Sequence, residues 1–164
     1  MTVLLLDHGR HASLVLPHGK LGAIRYSYGD WRYYALNRTG FRSGAAALLW
    51  PTQAALGRRV LGGDTAVEDI RRTVRVPTDS IYPIPVDAGL VSELLMELET
   101  LFGSGAMDVV HESAAFNLAF VPHPQSYSLF RNSNQMVARW LRVLGATTRG
   151  WPMISSWHLE AAGR

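Results

Sequence analysis

Four short β-favouring runs occupy the start of the chain, and turn-forming residues separate them from one another. The runs are Val3–Leu6, Ala12–Leu16, Ala23–Tyr28 and Trp31–Leu36. Apolar runs this short, bounded by Gly, Pro and Asp, are typical of neighbouring strands that pair through tight connections. The first constraint on the fold is therefore an antiparallel sheet built from the N-terminal part of the chain.

Two amphipathic helices are predicted in the second half. Leu and Val recur at helical spacing over Asp87–Phe102, where Asp87 is placed to cap the N-terminus and Gly103 the C-terminus. A second helix is predicted over Ser133–Leu144 and ends at Gly145. Strand runs combined with these helices indicate an α+β fold in which an antiparallel sheet packs against helices.

The intervening segments carry weaker signals. Ser43–Leu56 is helical in composition, although Pro51 interrupts it. Strand or extended structure is predicted over Thr73–Val76, Tyr82–Pro85, Ala115–Val121 and Tyr127–Phe130.

Composition bounds the class of protein. With 164 residues, of which 48% are hydrophobic, the chain suits a single domain over residues 1–164 and is too apolar for intrinsic disorder. It contains no Cys, which excludes disulfide scaffolds, thiolate metal sites and thiol catalysis. Its formal net charge of +3 is small for a nucleic-acid-binding domain.

The N-terminus carries no pattern typical of a targeting segment. Its apolar run, Val3–Leu6, stops at Asp7. A secretory signal needs about 7–15 apolar residues and a membrane helix needs about 20. We therefore expect no membrane span, and we expect the chain as given to be cytoplasmic.

Two histidines are candidate catalytic groups. His8 and His11 lie just before the predicted strand Ala12–Leu16. Histidine is the usual general base near neutral pH, and core packing of the strand would hold such a base in place. The alternative is that each histidine is a surface or hydrogen-bonded residue with no chemical role. Because no His-Glu-x-x-His pattern is present, we expect neither a metal nor another cofactor.

Ser133 is the candidate nucleophile. It falls where a strand-like run passes through Arg131-Asn132-Ser133-Asn134 into the second helix. Unpaired backbone N–H groups and the helix dipole stabilise negative charge at such a position. A nucleophile there gains acidity and an oxyanion site, but the position suits an N-cap equally well, filled by Ser133 or Asn132.

Three stretches of the chain carry a resemblance to a known family. They are His8-Gly-Arg-His11-Ala-Ser-Leu-Val-Leu-Pro17, Tyr28-Gly-Asp-Trp-Arg-Tyr-Tyr34, and Tyr127-Ser-Leu-Phe-Arg-Asn-Ser-Asn134 with the helix that follows to Gly145. In these stretches the chain resembles the circularly permuted papain-like superfamily, which includes NlpC-type peptidases and lecithin:retinol acyltransferase-like proteins. Within it, the chain is most similar to a bacterial branch of uncharacterised function. The residues from about Gly40 to Ala114 match only in general character.

The resemblance implies a permuted papain-like fold and a hydrolase or acyltransferase-type activity on an amide or ester bond. It implies that His11 is the base and that Ser133 occupies the nucleophile position, where the family has Cys between two Asn residues. Asp30 is the residue that we assign as the polar group orienting His11. The implied partner is a peptide, a glycopeptide or an acyl substrate.

Ser133 is also where the chain departs from the family pattern. A serine hydroxyl is far less acidic than a thiol, and it needs a well-aligned His and an oriented third group to react. Ser133 is therefore a working nucleophile, a degenerate remnant, or an introduced replacement for Cys.

Two other functions stay open. A catalytically inactive module of the same fold would use the cleft only for binding. Nucleic-acid binding is the third candidate, because aromatic residues interleave with Arg in a way typical of base-stacking sheets. The residues concerned are Tyr26, Tyr28, Trp31, Tyr33, Tyr34, Arg25 and Arg32. A packed aromatic sheet explains the same pattern, and with so small a net charge we do not expect nucleic acid as a partner.

Overall fold

The computed structural model describes residues 1–36, 51–63, 65–128, 131–149 and 157–160. Nine strands, three α-helices and one π-helical turn lie within these ranges. In chain order they are β1 Thr2–Asp7, β2 Ala12–His18, β3 Gly22–Asp30, the π-helical turn Trp31–Ala35, β4 Thr52–Val60, α1 Val67–Thr73, β5 Ser80–Pro85, α2 Ala88–Ala106, β6 His111–Ser113, β7 Leu118–Tyr127, α3 Ser133–Val143, β8 Thr147–Arg149 and β9 His158–Glu160.

Seven of the strands form one sheet in the order β5-β1-β2-β3-β4-β7-β6, and β8 pairs with β9 separately. Every neighbouring pair is antiparallel, as the spacing of the N-terminal runs predicts. Ser13 lies opposite Ser27, and Asp30 lies opposite Ala54. The start of β2, the end of β3 and the start of β4 therefore meet at one end of the sheet. The α+β class is confirmed.

Both faces of the sheet are covered. On the first face, α2 and α3 pack on the alternate side chains that include Leu14, Tyr26 and Leu56. On the second face, α1 covers Leu4, Leu6 and Val15. Because each face is buried, the strands read as nearly continuous apolar runs rather than as an apolar–polar alternation.

Two side chains of the sheet fix α2 by polar contacts. Glu99 of α2 accepts a hydrogen bond from the Tyr26 hydroxyl at 2.5 Å. Arg58 of β4 donates to both oxygens of the same carboxylate, from Nε at 2.6 Å and from Nη2 at 2.9 Å. The long helix is thus held to two adjacent central strands by one carboxylate.

The two helix predictions are confirmed, with one end corrected. Asp87 caps α2 by accepting from the backbone N–H groups of Gly89 and Leu90. The helix continues through Gly103 to Ala106, because Gly103 does not adopt the positive φ with which Gly ends a helix. α3 spans Ser133–Val143, and Gly145 follows with a positive φ of 77°, the conformation that Gly favours after a helix.

Two strand predictions and one helix prediction before β5 are wrong. Trp31–Ala35 is a π-helical turn rather than a strand, because the Asp30 carboxylate accepts the Tyr33 backbone N–H and caps the turn. Residues 52–60 form β4, where a helix was expected as far as Leu56; the part of that segment from Ser43 to Trp50 lies outside the described residues. Thr73, the first residue of the predicted strand Thr73–Val76, is the last residue of α1, and residues 74–76 are not in a strand.

From the sequence, the strands Ala115–Val121 and Tyr127–Phe130 are expected to flank a turn at His123-Pro124-Gln125-Ser126, but the structure has one strand, β7, across this turn. It runs from Leu118 to Tyr127, and its register with β4 shifts between Gln53 and Ala54. The side-chain amide of Gln53 donates to the carbonyl of His123 at 2.8 Å. The turn residues thus form a bulge within a continuous strand.

Both edges of the large sheet are short or lack donors. β6 has three residues. β5 contains Pro83 and Pro85, and the next residue, Val86, donates its N–H to the carbonyl of Met1, which directly precedes β1, at 2.8 Å. Because N–H groups alternate in direction along a strand, both prolines fall at positions that face away from β1.

Trp151, Pro152 and Trp157 stand near the C-terminus, and from the sequence we expect them to anchor the tail against the domain or to cover one end of the cleft. Trp157 is 8% exposed and packs in the core under the helices. Trp151 and Pro152, which were expected to take part, lie outside the described residues. Among the helices in the described ranges, none is long and apolar enough to cross a lipid bilayer.

Gly29→Ala is expected to lower the free energy of unfolding by about 1–3 kcal/mol, the usual cost of overpacking. A Cβ atom on Gly29 would lie 2.2 Å from Cδ2 of Tyr34, so the ring would have to move. Gly103→Ala is the control: it adds a methyl group to open space inside α2 and should raise stability by about 0.5–1 kcal/mol. Urea unfolding measures both, and a Gly29→Ala variant as stable as the native chain would contradict the packing described.

Candidate functional site

Two of the three predicted site residues, His11 and Asp30, lie at the same end of the sheet, and the third, Ser133, lies on a helix. His11 directly precedes β2, Asp30 is the last residue of β3, and Ser133 is the first residue of α3. α3 packs on the first face against β2 and β3. Ser133 thus begins a helix that packs on the first face against these two strands, whereas the rings that surround His11 belong to the cluster on the second face.

Ser133 is buried at the first turn of α3 and does not cap it. The N-cap is Asn132, whose side-chain oxygen accepts the backbone N–H of Gln135 at 2.9 Å. The Ser133 side chain, with 3% of its residue surface exposed, instead lies beside the hydroxyl of Tyr34. Of the two roles left open for this position, the capping role thus belongs to Asn132.

Tyr34 contacts both Ser133 and His11. Its ring lies on Gly29 of β3 and meets the ring of His11 edge-on, with the two centroids 5.7 Å apart. Burial raises the pKa of the Tyr34 phenol well above its ordinary value of about 10, so the hydroxyl stays protonated at neutral pH. Tyr34 is thus a neutral residue that joins the candidate nucleophile to the candidate base.

His11 is a half-buried, neutral imidazole. Burial, and next the charge of Arg25, lower its pKa from 6.5 to about 4. Neither ring nitrogen has a hydrogen-bond partner in the part of the chain that the structure describes. The ring is held by other rings, stacking on His8 at 4.7 Å and meeting Phe116 edge-on at 6.1 Å. An imidazole in this state has a lone pair available to accept a proton.

The described contacts do not join His11 directly to Ser133 or to Asp30. No hydrogen bond links either pair of side chains within the described ranges. Asp30 is 4% exposed, and its two oxygens accept from the Tyr33 backbone N–H at 2.8 Å and from the Thr52 hydroxyl. The carboxylate is therefore engaged in its own turn and with β4, and its role in orienting His11 stays a prediction.

Sequence reasoning missed a polar group on the second face of the sheet. Arg25, in the middle of β3, is 1% exposed and donates to Ser13 and to the backbone carbonyl of Phe116. Nε2 of His8, the residue after β1, lies within hydrogen-bond distance of the Ser13 hydroxyl and of Arg25. The signal was present in the sequence, since Arg25 is a lone charge inside the apolar run Ala23–Tyr28.

A small cavity lies along α3 beyond Ser133. Its volume is about 120 Å³, and Met136 and Trp140 of α3 line it together with His123 and Gln125 of the β7 bulge. The side-chain oxygen of Gln125 is buried there without a hydrogen-bond partner among the described residues. Because Met136 and Trp140 lie one and two turns after Ser133, the cavity opens along the same side of the helix.

The aromatic residues of β3 and of the π-helical turn do not form an exposed stacking surface. Tyr26 and Tyr28 are fully buried under the helices, and Tyr34 is buried on the other face. Only Trp31 and Tyr33 of this set keep more than a small exposed surface. The described residues also contain no group of three or more metal-ligating side chains.

Comparison of the chain with protein-family models, with curated proteins and with solved structures finds no match.

The chain should lose stability between pH 6.5 and about pH 4 as His8 and His11 take up protons on unfolding. Burial and Arg25 lower the pKa of His8 to about 3 and that of His11 to about 4, whereas an unfolded His titrates near 6.5. Their contribution is present above pH 6.5 and falls as the pH approaches the folded-state values. His11→Gln should therefore show a smaller difference in unfolding free energy between pH 7 and pH 5 than the native chain. An identical difference would contradict a neutral, buried His11.

Proposed function

We propose that the chain is a permuted papain-like domain that cleaves or transfers an acyl group at an amide or ester bond. Ser133 is the nucleophile and His11 is the base in this proposal. The observation that carries it is the position of Tyr34, whose hydroxyl contacts Ser133 while its ring contacts His11. Residues from opposite ends of the sequence are thereby placed around one side chain.

The arrangement of elements supports the papain-like part of the proposal. The family pattern requires an early His next to a strand and a late nucleophile that begins a helix. Here His11 directly precedes a central strand, and Ser133 begins the helix that packs on that strand. The middle of the chain, from about Gly40 to Ala114, contributes β4 and α2 and matches the family only in general character.

Ser133 is well placed to become an alkoxide nucleophile. It stands in the first turn of an 11-residue helix, where free backbone N–H groups and the helix dipole favour negative charge. The same N–H groups can hold the oxyanion formed when the hydroxyl oxygen attacks a carbonyl carbon. In that step the O–C bond forms, the C=O electron pair moves to the oxygen, and the hydroxyl proton goes to His11.

The second half of the reaction returns this proton. The tetrahedral intermediate expels an amine or an alcohol, which takes the proton from His11, and an acyl-Ser133 ester remains. Attack by water, or by an acceptor in a transferase, releases the acyl group. In the resting chain the Ser133 hydroxyl contacts Tyr34, so the reaction requires this hydroxyl to exchange Tyr34 for His11.

The same geometry favours a second candidate, a binding module that has lost catalysis. Ser133 lies beside the hydroxyl of Tyr34, and Asp30 accepts hydrogen bonds from Tyr33 and Thr52. A serine without an aligned base is a weak nucleophile. A protein of this kind would hold a peptide, a glycopeptide or an acyl group in the cleft without cleaving it.

Ser133→Ala and His11→Ala are each expected to abolish hydrolysis of short-chain p-nitrophenyl esters and of peptide amides. The first variant removes the nucleophile, and the second removes the proton acceptor. Ser92→Ala is the matched control, because Ser92 lies on the exposed side of α2 and bonds only to the carbonyl of Ala88. Initial rates with purified variants measure the effect, and activity retained in either site variant would refute the assignment.

Ser133→Cys should create a thiol whose pKa depends on His11. Because the chain has no Cys, this variant carries a single thiol, and the pH dependence of its alkylation by iodoacetamide gives the thiol pKa. Adding His11→Gln should raise that pKa by about 1, since a thiolate–imidazolium pair is then lost. Ala88→Cys is the control, because it places a thiol at the first position of α2, away from His11.

A thioester acyl probe then separates the two candidate functions. Acylation of the Ser133→Cys variant, but not of Ala88→Cys, supports an intact acyl-transfer site. A thiol that stays unacylated, with a pKa indifferent to His11→Gln, supports the binding module instead.

A further inference from the structure

We propose that Arg25 and His8 are positioning residues for His11, with Arg25 fixing the His8 ring through Ser13 and the His8 ring serving as the surface on which His11 stacks. The inference rests on the proposed function, because it assigns a purpose to the orientation of His11. The side chains that carry it lie on the second face of the sheet, outside the contact between Ser133 and Tyr34.

Arg25 is a buried cation without a carboxylate partner among the described residues. It is 1% exposed, and the ion pairs found in the described ranges involve Arg58 and Arg72 instead. Burying an uncompensated charge is costly, and an apolar residue of similar size would stabilise the sheet better. A buried charge that lowers the stability of the sheet in this way is a candidate for a functional role.

The hydrogen bonds of Arg25 have a fixed direction. Its Nε donates to the Ser13 hydroxyl oxygen at 3.0 Å, so the Ser13 proton is directed to Nε2 of His8, 2.9 Å away. Nη2 of Arg25 also approaches this nitrogen, at 3.4 Å. Nε2 is therefore an acceptor, and the single ring proton of His8 lies on Nδ1, which donates to the carbonyl of Pro77 at 2.7 Å. These contacts fix both the tautomer and the plane of the His8 ring.

The fixed His8 ring orients the His11 ring by stacking against it. The two ring planes are inclined by 22° and their centroids are 4.7 Å apart. The backbone N–H of His8 also donates to the carbonyl of His11 at 2.9 Å, which closes the turn between β1 and β2. His11 has no side-chain hydrogen bond of its own in the described ranges, so ring contacts are what orient it.

Arg25 also contacts Phe116, a second residue whose ring packs against His11. Its Nη1 donates to the backbone carbonyl of Phe116 at 3.3 Å, and the Phe116 ring meets His11 edge-on. Three rings surround His11, those of His8, Phe116 and Tyr34. Arg25 makes hydrogen-bond contacts with the first two of these residues. One buried cation therefore orders most of the surface on which the base rests.

The charged group that faces His11 most closely is Arg25, and it favours the neutral imidazole. Arg25 faces it from β3, His8 from the turn and the neutral Tyr34 from the π-helical turn. Asp7 and Asp79 lie in the same region, but Asp7 accepts from Gly9 and neither bonds to a His ring. Arg59, opposite Arg25 in β4, is exposed. Burial, and next the charge of Arg25, lower the pKa of His11, so its ring stays neutral with a free lone pair.

Paired substitutions at position 8 test the stacking step. His8→Phe keeps a ring of similar size, whereas His8→Ala removes it. We expect NOEs from the His11 ring to Tyr34 and Phe116 to persist in His8→Phe and to be lost in His8→Ala. If the acyl-transfer activity is found, kcat should fall at least 10-fold in His8→Ala with KM little changed, and His8→Phe should recover most of it.

Substitutions at positions 25 and 13 test the remaining steps. Arg25→Gln should raise the pKa of His11, followed by NMR titration, whereas Arg25→Lys should leave it close to the native value. Ser13→Ala keeps the charge and breaks the hydrogen-bond chain, so it should disorder the His8 and His11 rings without a comparable pKa change. It also serves as the test if Arg25→Gln does not fold.

The proposal is overturned if the NOEs of His11 are native in both His8→Ala and Ser13→Ala. It is equally overturned if Arg25→Gln folds and leaves the pKa of His11 unchanged. Because these signals come from the His11 ring itself, they can be measured with Ser133 intact and without any substrate. Failure of the acyl-transfer proposal would instead appear in the Ser133→Cys labelling, and the two outcomes are distinguishable.

Discussion

The packing of the Tyr34 ring on the bare backbone of Gly29 is the contact on which the candidate site depends. A side chain on Gly29 would occupy the space of the ring, with its Cβ 2.2 Å from Cδ2. With Gly in place, the ring lies against β3 and reaches the side chains of both His11 and Ser133. A missing methyl group on a central strand thus allows residues more than a hundred positions apart in sequence to share one neighbour.

The sequence predicts the class of the fold better than its individual elements. The helices over Asp87–Phe102 and Ser133–Leu144 are recovered because their apolar periodicity is long and their caps are strong. The run at Trp31–Leu36 is mispredicted because a side-chain cap from Asp30 overrides the β propensity of aromatic residues. β4 is mispredicted because small apolar residues suit a buried strand between two others as well as a helix. Tertiary pairing decides such segments, and periodicity alone does not reveal it.

The candidate site is predicted in part. The resemblance selects His11 and Ser133, which the fold places on either side of Tyr34. It does not reveal that Asp30 is taken up by its own turn, because a capping carboxylate and an orienting carboxylate look alike in sequence. Arg25 is missed for a different reason. Its contacts reach Ser13, His8 and Phe116 on separate elements, and only the strand register brings these together.

The two prolines of β5 have a consequence for how the large sheet meets other chains. Since Pro83 and Pro85 face away from β1, the outer edge lacks N–H donors at two successive positions where an added strand would seek them. The opposite edge, β6, offers a span of only three residues. As far as the described residues form them, these two borders are poor templates for edge-to-edge self-association or for β-augmentation by an extended segment. Recognition of a peptide would then depend on side chains rather than on backbone pairing with this sheet.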